Sequence, residues 1–183
     1  FAEKVVVDQS QVVKIPASMG MEAASLLACG VITGVGAVVN AAGLRAGQDV
    51  VVIGAGGVGL NAIQGARIAG ARRIVAVDMS EEKLAIAKEF GATDGILASQ
   101  DKPWHAAKAA IGRGADAVFV TVGMVPVYNQ APRYLAAGGK VVMVGMPHIG
   151  DAATYDPGGM AANGQGMVGS KMGDVVIARD IPW

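Results

Sequence analysis

Gly54, Gly56 and Gly59, in the stretch "IGAGGVG", stand in the spacing G-x-G-x-x-G, and Asp78 closes the run "RRIVAVD" 19 positions beyond the last of them. Glycines at this spacing, between an apolar run and a helical pattern, suit the binding of a pyrophosphate against backbone N–H groups. Gly54 permits a tight turn, and Gly56 lets the backbone approach a phosphate with no Cβ in the way. Gly59 brings the following helix close to the preceding strand. The N-terminus of that helix offers unpaired N–H groups and a partial positive charge to the phosphates. An acidic residue about 20 positions on accepts hydrogen bonds from the ribose hydroxyls of a dinucleotide. Asp78 occupies that place, and its carboxylate would repel a 2′-phosphate, which favours NAD over NADP. With 27 glycines in the chain the triplet alone is weak. Its context carries the specificity: a strand leads in, a helix leads out, and an acid ends the next strand. On these residues alone a methyltransferase-type nucleotide fold stays open, because it shares the glycine turn and the acidic second strand end.

Cys29, the single cysteine, lies in "EAASLLACGVITGVG". One thiol forms no internal disulfide, which fits a reducing compartment such as the cytoplasm. A lone cysteine in an apolar segment is often a small buried hydrophobe. Of the two histidines, His105 sits in a polar helical stretch and reads as solvated. His148 follows "VGMP" in a loop near the cofactor end, and nothing assigns it as base or ligand. No G-x-S-x-G elbow and no G-x-x-x-x-G-K-[ST] loop occurs, so hydrolase and NTPase chemistry have no support.

These residues need a frame. Continuous apolar runs at 49–56, 72–78, 115–123 and 140–147, with weaker ones at 95–98 and 165–171, read as strands covered on both faces. Helical patterns separate them at 59–70, after Ser80, and at 102–114, where Pro103 suits a first helical position. Ser80 is placed to cap its helix, with Glu81 and Glu82 in the first turn and Gly91 past the end. Pro132 is expected to make the helix in "VYNQAPRYLAAGG" start late or kink. The alternation predicts an α/β fold, a doubly wound, mostly parallel six-stranded Rossmann sheet in the order 3-2-1-4-5-6, from about Gly30 to Gly173. "FAEKVVVDQSQVVKIP" reads as two short strands meeting at a turn. Residues 1–28 are taken as the edge of another domain, 29–174 as the dinucleotide-binding domain and 175–183 as a tail. A chain running from Phe1 to Trp183 with neither end a natural boundary suggests a piece of something longer.

Composition closes off other classes. Apolar residues make up 52% and charged residues 16%, which excludes a disordered chain. Fifteen basic residues balance fifteen acidic ones with no basic stripe, so nucleic acid is not an expected partner. Ala23 to Leu44 is free of charge and long enough to span a membrane, but Gly30, Gly34, Gly36, Gly43, Ser25, Thr33 and Asn40 dilute it. It reads as a buried soluble segment, with no membrane partner. Residues 148–164 carry no interpretable signal.

The stretch "ACGVITGVGAVVNAAGLRAGQDVVVIGAGGVGLNAIQGARIAGARRIVAVDMSEEKLAIAKEFGATD" resembles the zinc-containing medium-chain alcohol dehydrogenases. The resemblance extends over the whole chain and is strongest from Cys29 to Asp94. It implies that Cys29, in C-G-x-x-T-G, is a ligand of the catalytic zinc. Thr33 would lie near the nicotinamide ring and Val58 behind it, with Gly54, Gly56, Gly57 and Gly59 forming the glycine turn. Asp78 and Lys83 would hold the ribose, and Val122 would touch the adenine. Val144, Met146, Ser170 and Met172 would surround the carboxamide. The family's first catalytic cysteine and histidine, and its four-cysteine structural zinc loop, have no counterpart in this chain. A catalytic zinc takes three protein ligands, so Cys29 by itself makes no site, and zinc is expected only in a full-length parent. The resemblance therefore implies the coenzyme-binding domain of an NAD-dependent alcohol dehydrogenase acting on a small alcohol or aldehyde. Alone, it is expected to bind NAD and to be inactive. The rival reading is a stand-alone NAD-binding module that senses redox state. Residues 165–171 align with the edge strand through which family members pair, which implies a homodimer.

Overall fold

Residues 49–53 read Asp-Val-Val-Val-Ile, and β-branched side chains on both faces favour a strand covered above and below. In the computed structural model, which describes residues 2–183, this run is β1 (Asp49–Ile53), buried along its whole length. The other strands are β2 (Arg73–Asp78), β3 (Asp94–Leu97), β4 (Ala115–Val120), β5 (Leu135–Met143) and β6 (Gly166–Gly169). The sheet order is β3-β2-β1-β4-β5-β6, and every neighbouring pair is parallel. This is the predicted Rossmann order, with β1 at the point where the winding reverses.

Seven helices accompany the sheet among the described residues: α1 (Met21–Ala42), α2 (Gly57–Ile68), α3 (Glu81–Glu89), α4 (Pro103–Ile111), α5 (Val125–Gln130), α6 (Pro157–Ala162) and α7 (Ile177–Asp180). Successive strand side chains point to opposite faces. Val50 and Val52 thus meet Ile63, Phe119 and Val142 on one side, while Val51 and Ile53 meet Val118, Ile111 and Tyr134 on the other. The Ser80 side chain caps α3 by accepting the Lys83 N–H at 3.3 Å, as its position predicts.

Helix α1 is the one described helix long and apolar enough to cross a membrane, with a mean hydropathy of 1.8. Its second half packs on α2 through glycines: a Cβ on Gly34 would fall 2.5 Å from the Val58 carbonyl oxygen, and one on Gly65 would fall 3.0 Å from the Val35 Cα. The first six residues, Met21–Leu26, include no buried one. Wide π-type turns occur at Leu27–Val31 and Ala37–Ala42. The helix crosses residue 28, where the sequence places a domain boundary.

Three local expectations need correction. The N-terminal segment forms no strand among its described residues (Phe1 of that segment lies outside them), only a tight 3-10 turn at Gln9–Gln11 capped by Asp8. Val5 to Val7 have strand-forming side chains, but they are exposed and lie beside no other strand, and an unpaired strand does not persist in water. Around Pro132 the helix does not start late but begins at Val125; the break expected at the proline is there, as a tightening into a 3-10 turn over Ala131–Tyr134, because proline supplies no N–H for the α-helical bond. Strand β5 begins at Leu135 rather than 140, with an irregular register against Ala115 and Ala117.

Candidate functional site

The carboxyl end of β1 runs directly into the glycine turn. Gly54 has φ +99°, a conformation that side chains disfavour, and a Cβ there would lie 2.6 Å from Val122 Cγ1 and 2.7 Å from Thr121 Oγ1. The Thr121 hydroxyl lies 3.0 Å from the Ile53 carbonyl oxygen and 2.9 Å from that of Gly54, tying the turn to the end of β4. A Cβ on Gly59 would collide with the Gly54 carbonyl oxygen, so glycine sets how closely α2 approaches β1. Gly56 and Gly57 face the other way: a Cβ on either would meet nothing within 4 Å. No side chain caps the N-terminus of α2, which leaves its first-turn N–H groups open.

Asp78, at the end of β2, closes the turn from the side. One carboxylate oxygen accepts the Ala55 N–H at 2.7 Å and the other accepts the Ser80 N–H at 3.0 Å. A carboxylate has about four acceptor positions, so room remains for two vicinal hydroxyls. A groove of about 360 Å³ opens beside it, lined by Gly54, Asp78, Lys83, Val122, Pro126 and Val127 among others. The open first turn of α2, the space above Gly56 and Gly57, and a half-buried carboxylate beside an apolar wall fit a dinucleotide's pyrophosphate, ribose and base. Thr121 and the apolar wall from Pro126 and Val127 were not singled out in the sequence. The signal for them is topological, since both follow β4, the strand beside β1 at the reversal point.

The remaining sequence-predicted residues lie toward β5, β6 and α1. Thr33 is buried in α1 with its hydroxyl 3.8 Å from Met172 Sδ. Val58 is half-buried in the first turn of α2, and Val144 is buried just past β5. Met146 is 88% exposed. The Ser170 N–H donates to the Met143 carbonyl oxygen at 2.9 Å, while its own Oγ is buried with no hydrogen-bond partner.

Cys29 is exposed in the first π-type turn of α1. Among the described residues no three His, Cys, Asp or Glu side chains cluster to hold a metal. A catalytic zinc needs three protein ligands, and this chain by itself does not fit one. His105 and His148 are both exposed, the former packing edge-on to Trp104 at 6.0 Å.

The opposite, amino-terminal rim of the sheet is built differently. Asp49 is fully buried and accepts from Arg72 Nε at 2.9 Å and Nη2 at 2.6 Å, with Arg113 Nη2 at 2.8 Å. Its N–H donates to Asp116 at 2.8 Å, and Asp116 also pairs with Arg113. Burial alone would raise the Asp116 carboxyl, but the Arg113 hydrogen bonds and the Asp49 N–H outweigh it and hold it below the usual range. This rim anchors the strands and leaves the carboxyl rim for a ligand.

The sequence pattern of the zinc-binding dehydrogenases matches residues 57–182. The chain belongs to this family, the zinc-containing medium-chain alcohol dehydrogenases. Relatives within the family include the S-(hydroxymethyl)glutathione dehydrogenase of Haemophilus influenzae, 36% identical over 185 residues that cover all of this chain and 49% of the relative. An NDMA-dependent alcohol dehydrogenase of Amycolatopsis methanolica is 36% identical over 162 residues, 87% of this chain and 44% of the relative. Among solved structures, benzyl alcohol dehydrogenase from Acinetobacter calcoaceticus superposes with a TM-score of 0.89 at 33% identity, covering 93% of this chain and 47% of that one. This chain thus spans about half the length of the relatives it matches.

Proposed function

We propose that this chain is the coenzyme-binding part of an NAD-dependent zinc alcohol dehydrogenase. The observation that carries the reading is the Asp78 carboxylate, seated by two backbone N–H groups beside an uncapped helix N-terminus. The α2 N–H groups take the pyrophosphate, and Gly56 and Gly57 leave it room. Asp78, with Lys83 nearby, takes the adenosine ribose hydroxyls and excludes a 2′-phosphate by charge. Val122 and its apolar neighbours cover the base. Thr33, Val58, Val144, Met146, Ser170 and Met172 take the nicotinamide end. When bound, the coenzyme supplies hydride acceptance at the nicotinamide ring.

Cys29 contributes one thiolate to a zinc whose other ligands come from outside these residues. The chain alone is therefore expected to bind coenzyme and leave alcohols unoxidised. A rate above background from this chain with added zinc would overturn that expectation. The relatives' names, which include benzyl alcohol and S-(hydroxymethyl)glutathione, support an alcohol as the parent's class of substrate. The free backbone edge of β6 is a template for pairing, and we assign it as the contact of a homodimer through residues 165–171.

Calorimetric titration of NADH and NADPH tests the coenzyme assignment. NADH is expected to bind more tightly than NADPH, and Asp78→Ala is expected to weaken NADH about tenfold or more, the worth of a charged hydrogen bond. Equal affinity for the two coenzymes in the wild-type chain would defeat it.

A further inference from the structure

We infer that Asn40 is a positioning residue, holding the backbone that follows β6 in place under the second nucleotide of the coenzyme. The inference rests on the coenzyme reading above. A doubly wound sheet binds a dinucleotide across its reversal point, one nucleotide over each half. Asp78 and the glycine turn account for the half built on β1, β2 and β3. The other nucleotide must lie over the carboxyl ends of β4, β5 and β6. Residues 170–174, which leave β6 at that rim, border this place. Within them the Ser170 hydroxyl is 9% exposed by residue and has no hydrogen-bond partner, as expected of a group awaiting a polar ligand.

This exit segment is not held by the sheet alone. Asn40, near the end of α1, donates from Nδ2 to the Gly173 carbonyl oxygen at 3.0 Å and to Asp180 Oδ2 at 3.3 Å. Its Oδ1 accepts from Arg179 Nη2 at 3.3 Å. The same Asp180 oxygen accepts the Val176 N–H at 2.9 Å, and Asp180 pairs with Arg179. One side-chain amide therefore ties three stretches together: α1, the exit of β6, and α7. The fit beneath it is close, since a Cβ on Gly36 would overlap the Gly173 carbonyl and one on Gly173 would overlap the Ile32 carbonyl. Gly173 has φ +69° and is flanked by Met172 and Asp174 at φ +52° and +50°. Three consecutive residues in the left-handed region persist only where the surroundings fix them. Asn40 supplies that fixation. The Arg179 hydrogen bond, aided by the Val176 N–H, holds the Asp180 carboxyl down at about 2. With this latch in place, Met172 is kept against Thr33.

The test compares two probes on the 183-residue chain: ADP-ribose, which lacks the nicotinamide, and NADH. Asn40→Ala is expected to weaken NADH about tenfold, the worth of one to two hydrogen bonds, and to abolish any shift in nicotinamide fluorescence on binding. ADP-ribose affinity is expected to stay within about twofold. Asp180→Ala, which removes the other end of the latch, is expected to show the same selective loss, and the double variant no more than either single one. It carries the test if Asn40→Ala does not fold. Equal weakening of both probes, or no weakening of NADH, would overturn the role of Asn40 while leaving the coenzyme site standing. Failure of the wild-type chain to bind either probe would overturn the coenzyme reading, and the inference with it.

Discussion

Gly56 and Gly59, three positions apart in sequence, illustrate how one residue type does opposite work. Gly59 is filled against the Gly54 carbonyl, whereas Gly56 borders open space. Gly59→Ala is expected to push α2 off β1 and lower stability by about 1–3 kcal/mol, the usual cost of overpacking, read as a lower urea midpoint. Gly56→Ala should leave that midpoint unchanged and weaken NADH binding, because its methyl group occupies the phosphate's approach. Reversed outcomes would show that the turn serves packing alone. The spacing made these roles legible in the sequence, since G-x-G-x-x-G encodes both a close approach and a vacancy. It did not reveal what Asp78 does for the protein itself. The Ser80 N–H is a local partner two residues on, but the Ala55 N–H reaches it only once β1 and β2 lie side by side. Nor did it mark Asn40, whose partners are more than 130 positions away.

At the scale of elements, the anchoring of β1 depends on the charged cluster at its amino-terminal end. Asp49 is buried, and its arginine partners are half exposed. Replacing both Arg72 and Arg113 by Met would leave an uncompensated buried carboxylate, with an expected loss of about 3–5 kcal/mol in denaturant unfolding. The pH dependence follows from Asp116, whose folded carboxyl lies below its unfolded value of about 3.9. Its stabilising contribution is present above that value and is lost as pH falls through the folded one. Urea midpoints measured from pH 6 down to pH 2.5 should therefore fall more steeply in the wild type than in Asp116→Asn. Parallel curves would remove Asp116 from the account. Strands β1, β2 and β4 were legible because each is a nearly continuous apolar run, while β3 and β6 gave only weak signals and the Gly-rich start of β5 gave none. The two expected N-terminal strands looked the same locally. What separates them is pairing, which depends on a neighbour that local pattern cannot supply. The early start of α5 was hidden for a related reason: Tyr128 and Tyr134 bury themselves against the sheet, and that packing outweighs the break at Pro132.

For the whole molecule, the parallel order sorts the carboxyl ends of all six strands onto one rim. The doubly wound parallel sheet was readable from the alternation of strands and helices, since right-handed crossovers leave few arrangements, while its order came from the glycine turn and acidic strand end that mark a Rossmann sheet. The sheet ends at β3 on one side and β6 on the other, each with one unpaired edge. Sedimentation of the chain at micromolar concentration is expected to report a dimer, and a monomer would count against pairing through residues 165–171. The course of α1 was harder to read. Its apolar sequence is nearly uniform, yet only its second half is covered by the sheet domain. Length and hydropathy cannot mark where that cover ends.

The seating of Asp78 has an evolutionary implication. A lineage that traded the carboxylate for a neutral residue, so as to admit a phosphorylated coenzyme, would take away the acceptor for Ala55 and Ser80 in the same step. On the proposed reading, coenzyme preference would thus be tied to the shape of the glycine turn. A successful switch would need a second, compensating replacement nearby, and single-step variants should lose the old coenzyme before gaining the new one.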